Sequence, residues 1–181
     1  MHFQPRLIIL SAIIIAGPVL AADPAHKHST DTPPVSASHG TKDHEKMRDH
    51  MKGQAGAEQT VKAYRDALVR QDASVMPALF AKDSQIFENG KSEGSFSNYL
   101  EHHLGPELGH FKSFTFTSPT IAITELGDSA LAVETYGYVI VLKDGRRIER
   151  TGVATSVLIR EDGAWKILRY HSSSRAPKKP K

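Results

Sequence analysis

The sequence predicts an α+β domain in which helices come first and a strongly curved antiparallel sheet follows. Three observations carry that expectation. Val61, Tyr64 and Leu68 recur at helical spacing ahead of any strand signal. Four long strand-like runs then follow, separated by Gly127-Asp128, Asp144-Gly145 and Asp162-Gly163, the residue types that tight hairpins demand. Pro119, Gly137 and Gly152 fall inside those runs, where a long strand must bend to curl.

Taken in order, residues 57–71 form an amphipathic first helix. Asp72 is placed to cap a second, short helix from Ala73 to Phe80, with Val75, Met76 and Leu79 inward. Ser84 to Glu88 reads as a short strand ending at the Asn89-Gly90 turn. Ser95 caps a third helix through Leu104, which Gly105-Pro106 should stop. The four strands span Phe111–Glu125, Ala130–Lys143, Arg146–Arg160 and Trp165–Ser173.

The segments outside 57–174 are of another kind. Arg6, the apolar run Leu7 to Ala16, and small residues at Val19, Ala21 and Ala22 form a secretory signal over 1–22. Pro18 and the polar run from Asp23 leave the apolar stretch too short for a span of about 20 residues. Export, into a periplasm, is therefore expected, with no transmembrane segment after cleavage. The absence of cysteine excludes disulfides, thiolate ligands and a cysteine nucleophile.

Residues 23–56 hold five of the ten histidines and few large apolar groups, which suits a disordered linker. There His44, Met47, His50 and Met51 stand three and four apart, so a short helical turn would gather imidazole and thioether donors on one side. That donor mixture suits copper. A soluble spacer is the competing reading. Residues 175–181 form a basic tail. The domain itself carries 13 Lys/Arg against 15 Asp/Glu, so the formal +3 of the chain comes from its ends, and no basic face for nucleic acid is expected.

The run from Arg150-Thr151 through Gly163-Ala164-Trp165-Lys166-Ile167 to His171-Ser172-Ser173, following that order of helices and strands, resembles the nuclear transport factor 2-like superfamily. It is similar to the SnoaL-like branch related to the calcium/calmodulin-dependent kinase association domain. The resemblance implies a cone: a curved sheet wrapped around three N-terminal helices and enclosing an apolar cavity. It also implies frequent pairing as a homodimer through the sheet. Its relatives include isomerases, dehydratases, cyclases and pure binding domains. No aspartate stands where the steroid-isomerase mechanism would need its base, so no catalytic set carries over.

Strand alternation puts Trp165, Ile167, Arg169 and His171 on one face of the last strand. In the strand from Ala130, Leu131, Val133, Thr135 and Val139 face one way and Glu134, Tyr136 and Tyr138 the other. In the third helix, Phe96, Tyr99, Leu100, His103 and Leu104 share a buried stripe, and Tyr64 points inward from the first. His171 and His103 are thus candidate proton-transfer groups, with Tyr99 or Tyr64 as hydroxyl donor. Each histidine also reads as an ordinary core residue. Phe96, Leu100, Trp165, Ile167, Arg169 and Glu88 are candidate pocket residues, and Glu88 or Glu134, if buried, a base. His102, His103, His110 and His171 form a weaker metal-site candidate.

Three functions follow. The first is an exported domain that binds a small apolar molecule, with acid–base catalysis of the isomerase, dehydratase or cyclase type and no required cofactor. The second is a copper-binding protein working through its His/Met arm. The third is a dimerisation domain without a ligand.

Overall fold

The computed structural model describes residues 56–178. They open in helix α1, described over 56–70. Its buried face is Ala57, Val61, Tyr64, Ala67 and Leu68, one stripe of the helix. Gln71 ends it in the left-handed region (φ 56°), giving its N–H to the Leu68 carbonyl while Asp72 N–H reaches the Ala67 carbonyl. These are the two bonds of a Schellman stop, here without the usual glycine.

The second helix expected from Ala73 to Phe80 does not form. Asp72 instead turns its carboxylate onto the Ser74 backbone N–H and hydroxyl. Pro77 supplies no N–H and disfavours helical geometry in the residue before it. Only a 3-10 turn, Met76–Leu79, remains. Strand β1 (Phe80–Glu88) therefore starts four residues earlier than its sequence signal. Asn89 and Gly90, both at positive φ, then make a tight turn into β2 (Lys91–Gly94), a strand too short to register in the sequence.

The third helix begins as expected, with Ser95 Oγ accepting the Asn98 N–H. It does not stop at Leu104. Helix α2 (Phe96–Tyr99) passes through a π-helical turn, Leu100–Leu104, into α3 (Gly105–Leu108). The wider turn is how the backbone accommodates Pro106: Gly105 donates to the Leu100 carbonyl five residues back. A Cβ on Gly105 would lie 2.5 Å from that oxygen. Gly105→Ala is thus expected to lower stability by about 1–3 kcal/mol, the cost of forced crowding, rather than deliver the helix gain alanine normally brings. Thermal denaturation decides it, and an equal or higher melting temperature would contradict the assignment.

Strands β3 (Phe111–Leu126), β4 (Ser129–Leu142), β5 (Arg147–Glu161) and β6 (Ala164–Arg175) follow as a meander. The sheet order is β2-β1-β6-β5-β4-β3, antiparallel throughout except for the parallel pair β1–β6. The α+β architecture expected from the sequence is therefore observed, with that one parallel pair added. Bulges bend the long strands. One lies at Ser118-Pro119 in β3, opposite Tyr136 and next to the Thr117↔Gly137 pair, on an edge strand where proline leaves no ladder bond unmade. A second places Leu168 of β6 as the extra residue between the pairs Leu158↔Ile167 and Val157↔Arg169.

The second bulge reverses the facing of the rest of β6. Trp165 and Ile167 are buried, as expected, but beyond Leu168 the buried residue is Tyr170, and Arg169 and His171 lie exposed on the outer face. On β4 the inward set is Ala130, Ala132, Glu134, Tyr136 and Tyr138, leaving Val133 and Thr135 exposed. Small inward residues at Ala130, Ala132, Gly152, Ala154 and Ser156 keep the centre of the sheet shallow. Helix α1 lies across it, with Thr60 donating to the Trp165 carbonyl and Arg65 reaching Glu134.

Candidate active site

Between the sheet, α1 and the α2–α3 stretch lies a cavity of about 100 Å³ that opens to solvent at its mouth. Tyr64, Tyr99, Tyr136, Tyr138 and Tyr170 line it, with Phe111, Phe114 and Phe116. The aromatic wall has a simple origin. Phe114 and Phe116 alternate inward on β3 and meet the inward Tyr138 and Tyr136 of β4: Phe114 stacks on Tyr138 (5.5 Å, 14°), and Phe116 stands edge-on to Tyr136 (5.1 Å, 86°). Tyr136 has room because its partner is Gly152, where any Cβ would meet the ring at 2.5 Å.

The polar groups gather at one side. Tyr99 donates its hydroxyl to Glu88 Oε2 at 2.8 Å, and both residues line the cavity, as does Glu107. Behind them His103 sits among three carboxylates. Its Nδ1 is 3.2 Å from Glu93 and 3.9 Å from Glu88, and its Nε2 is 3.4 Å from Glu107. Lys91 holds the other oxygen of Glu93 at 3.0 Å. Burial drives the Tyr99, Tyr64 and Tyr170 hydroxyls well above the usual phenol range, so all three remain proton donors at neutral pH. Burial also raises Glu107, against the opposing pull of His103. Deeper in the core, Glu134 is pushed up to about 7 by burial, although Arg65 lies at 3.3 Å and holds it down.

Of the residues singled out from sequence, Tyr64, Tyr99 and Glu88 are brought together at the cavity. His103 stands one layer behind, its ring edge-on to Tyr99 at 5.2 Å. His171 does not join them: on the outer face, it packs against Phe87 at 6.4 Å, because Leu168 reverses the strand. Arg169 is outside for the same reason, bonded to the Asp83 and Leu168 carbonyls. Phe96, Leu100, Trp165 and Ile167 belong to the surrounding core rather than the lining. Phe96 stacks on Phe80 at 3.8 Å, Leu100 is partly buried against the same cluster, and Trp165 and Ile167 are buried elsewhere in it.

His44, Met47, His50 and Met51 lie outside the described residues. Among the described residues no three His, Asp or Glu side chains are grouped to hold a metal, and His102, His110 and His171 are all exposed. Sequence reasoning missed the β3 wall and Tyr170. The signals were present: the Phe-x-Phe alternation of 114 and 116, and an apolar series that steps by three between Ile167 and Tyr170.

A curved six-stranded sheet packed against helices matches the cone fold of solved nuclear transport factor 2-like structures. The sequence profile of the SnoaL-like domain matches residues 57–177, and the chain belongs to that family. Solved structures agree. A candidate ketosteroid isomerase from Shewanella frigidimarina is 31% identical, over 65% of this chain and 94% of that one, with a TM-score of 0.56. A protein from Streptomyces avermitilis, described as a candidate dehydratase of the same superfamily, is 19% identical over 71% and 99%, with a TM-score of 0.60. A ketosteroid isomerase-like protein from Erwinia carotovora atroseptica is 19% identical over 68% and 97%, with a TM-score of 0.61. The latter two speak to the fold alone. No curated protein matches the sequence.

Proposed function

We propose that this domain binds a small, largely apolar organic molecule in the cone and moves a proton on it, in the manner of an isomerase or dehydratase. The observation that carries the reading is the Tyr99–Glu88 pair, 2.8 Å apart at the wall of an otherwise aromatic cavity. Glu88 is the base. It takes a proton from carbon through the carboxylate oxygen that Tyr99 leaves free. Tyr99, kept protonated by burial, donates its single O–H to Glu88 and so orients that carboxylate toward the guest. His103, flanked by Glu88, Glu93 and Glu107, positions Glu88 from behind.

A screen of small carbonyl compounds for hydrogen–deuterium exchange in heavy water, read by NMR, tests this across many candidate substrates at once. Exchange at a carbon next to the carbonyl should be accelerated by the wild-type protein and fall roughly 100-fold or more in Glu88→Gln, the usual weight of a positioned base. Equal exchange by the two proteins would remove Glu88 from the chemistry.

Export through residues 1–22 belongs to the same reading and rests on the sequence. So does the copper alternative, which gives the working role to His44, Met47, His50 and Met51. Copper titration of the whole protein and of a form lacking 23–56 separates the two. Tighter binding by the whole protein supports the arm, and equal affinity removes it.

A further inference from the structure

We propose that the guest of this cavity is an organic cation: a protonated or quaternary amine carried on a compact apolar body. The inference rests on the reading of the cavity as a binding site and adds the chemical class of what it holds. Five tyrosines and three phenylalanines line the space, together with two carboxylates, Glu88 and Glu107, and no Lys, Arg or His. Aromatic faces attract a positive charge through the ring quadrupole, most strongly where water is excluded. Glu88 and Glu107 remain 27% and 42% exposed, so both reach the mouth rather than the floor.

The positive groups nearby are committed elsewhere. Arg65 pairs with Glu134 and lies 5.9 Å above the Phe116 ring, an internal instance of the same cation–aromatic attraction. Arg150 donates to the Ser174 carbonyl at 2.9 Å, and Lys91 to Glu93. His103 touches Glu88, Glu93 and Glu107 from outside the lining. An anionic guest would face two carboxylates with no cation in the wall to receive it. A neutral guest would fill the aromatic part and offer the two carboxylates at the mouth nothing beyond the contacts with His103 that they already have. An ammonium satisfies both features at once, and the burial that raises the Glu107 carboxyl is the penalty its charge would relieve.

The test is NMR titration of the whole protein at pH 8 with three probes of nearly equal size: phenyltrimethylammonium, its neutral isostere tert-butylbenzene, and benzoate. Phenyltrimethylammonium should bind at least about tenfold more tightly than tert-butylbenzene, the scale of a desolvated cation–aromatic contact. Benzoate should bind weakest. Glu107→Gln should cost the cation several-fold in affinity and leave tert-butylbenzene unchanged. If tert-butylbenzene or benzoate binds as tightly as the cation, the cation inference falls while the binding reading stands. Equal losses for cation and isostere in Glu107→Gln would also overturn it. If none of the three shifts the cavity resonances, both fall together.

Discussion

Arg65→Met is expected to lower stability by about 3 kcal/mol at pH 8 and by only about 1 kcal/mol at pH 5. Glu134 lies on the inner face of β4 and is 5% exposed, and the Arg65 guanidinium at 3.3 Å is its partner. Removing one member of a buried pair leaves a charge without compensation, a loss typically in the range of about 3–5 kcal/mol. The proton supplies the pH dependence. Burial lifts the Glu134 carboxyl from its ordinary value to about 7 even with Arg65 in place. The folded chain therefore holds this proton more tightly than the unfolded chain does. Its contribution to stability is full at acid pH and declines as the pH rises from the carboxylate range through about 7, by about 3 kcal/mol across that window. At pH 5 Glu134 is neutral, so Arg65→Met forfeits only a hydrogen bond and the packing over Phe116, on the order of 1 kcal/mol. Urea unfolding at the two pH values measures both losses. Equal losses would mean that Glu134 does not change its charge between the two pH values.

The second large effect is a contrast along β6. Tyr170→Ala should cost about 3–5 kcal/mol, the range for deleting a buried aromatic ring, whereas His171→Ala should change stability by less than about 0.5 kcal/mol, as an exposed site does. Tyr170 packs edge-on against Tyr64 at 5.5 Å and Phe80 at 6.5 Å, inside the main cluster. His171 has Phe87 beside it on the outer surface. Unbroken alternation from Trp165 would predict the reverse order, so one pair of denaturation curves reports directly on the bulge at Leu168. A larger loss at His171 than at Tyr170 would restore the unbroken register.

These two sites show where the sequence speaks and where it falls silent. The meander was legible because turn chemistry is local: Asp162-Gly163 and Asn89-Gly90 take positive φ wherever they occur in a tight hairpin. The first helix was legible because its apolar spacing matches its buried face. The inward tyrosines of α1 and α2 followed from the same periodicity. His171 was misplaced because a single extra residue inverts every later side chain, and nothing local to Leu168 compels a bulge. The second helix was lost to Pro77, whose effect on Met76 competes with favourable apolar spacing. Glu93 escaped notice because its role comes from His103 on another element, and Glu107 because the helix was expected to stop at Leu104, short of it.

The central claim is that the cone admits a small guest to the Tyr99–Glu88 wall. A thermal-shift screen of a fragment library against the wild-type protein and Ser172→Trp tests it most directly. Ser172 lines the cavity, pairs with Glu88 in the β1–β6 ladder, and is only partly buried, so an indole there occupies the space without displacing the core. The expected result is a set of fragments that raise the melting temperature of the wild type and leave an equally folded Ser172→Trp unmoved. Fragments that stabilise both proteins alike, or none that stabilises the wild type, would contradict the account.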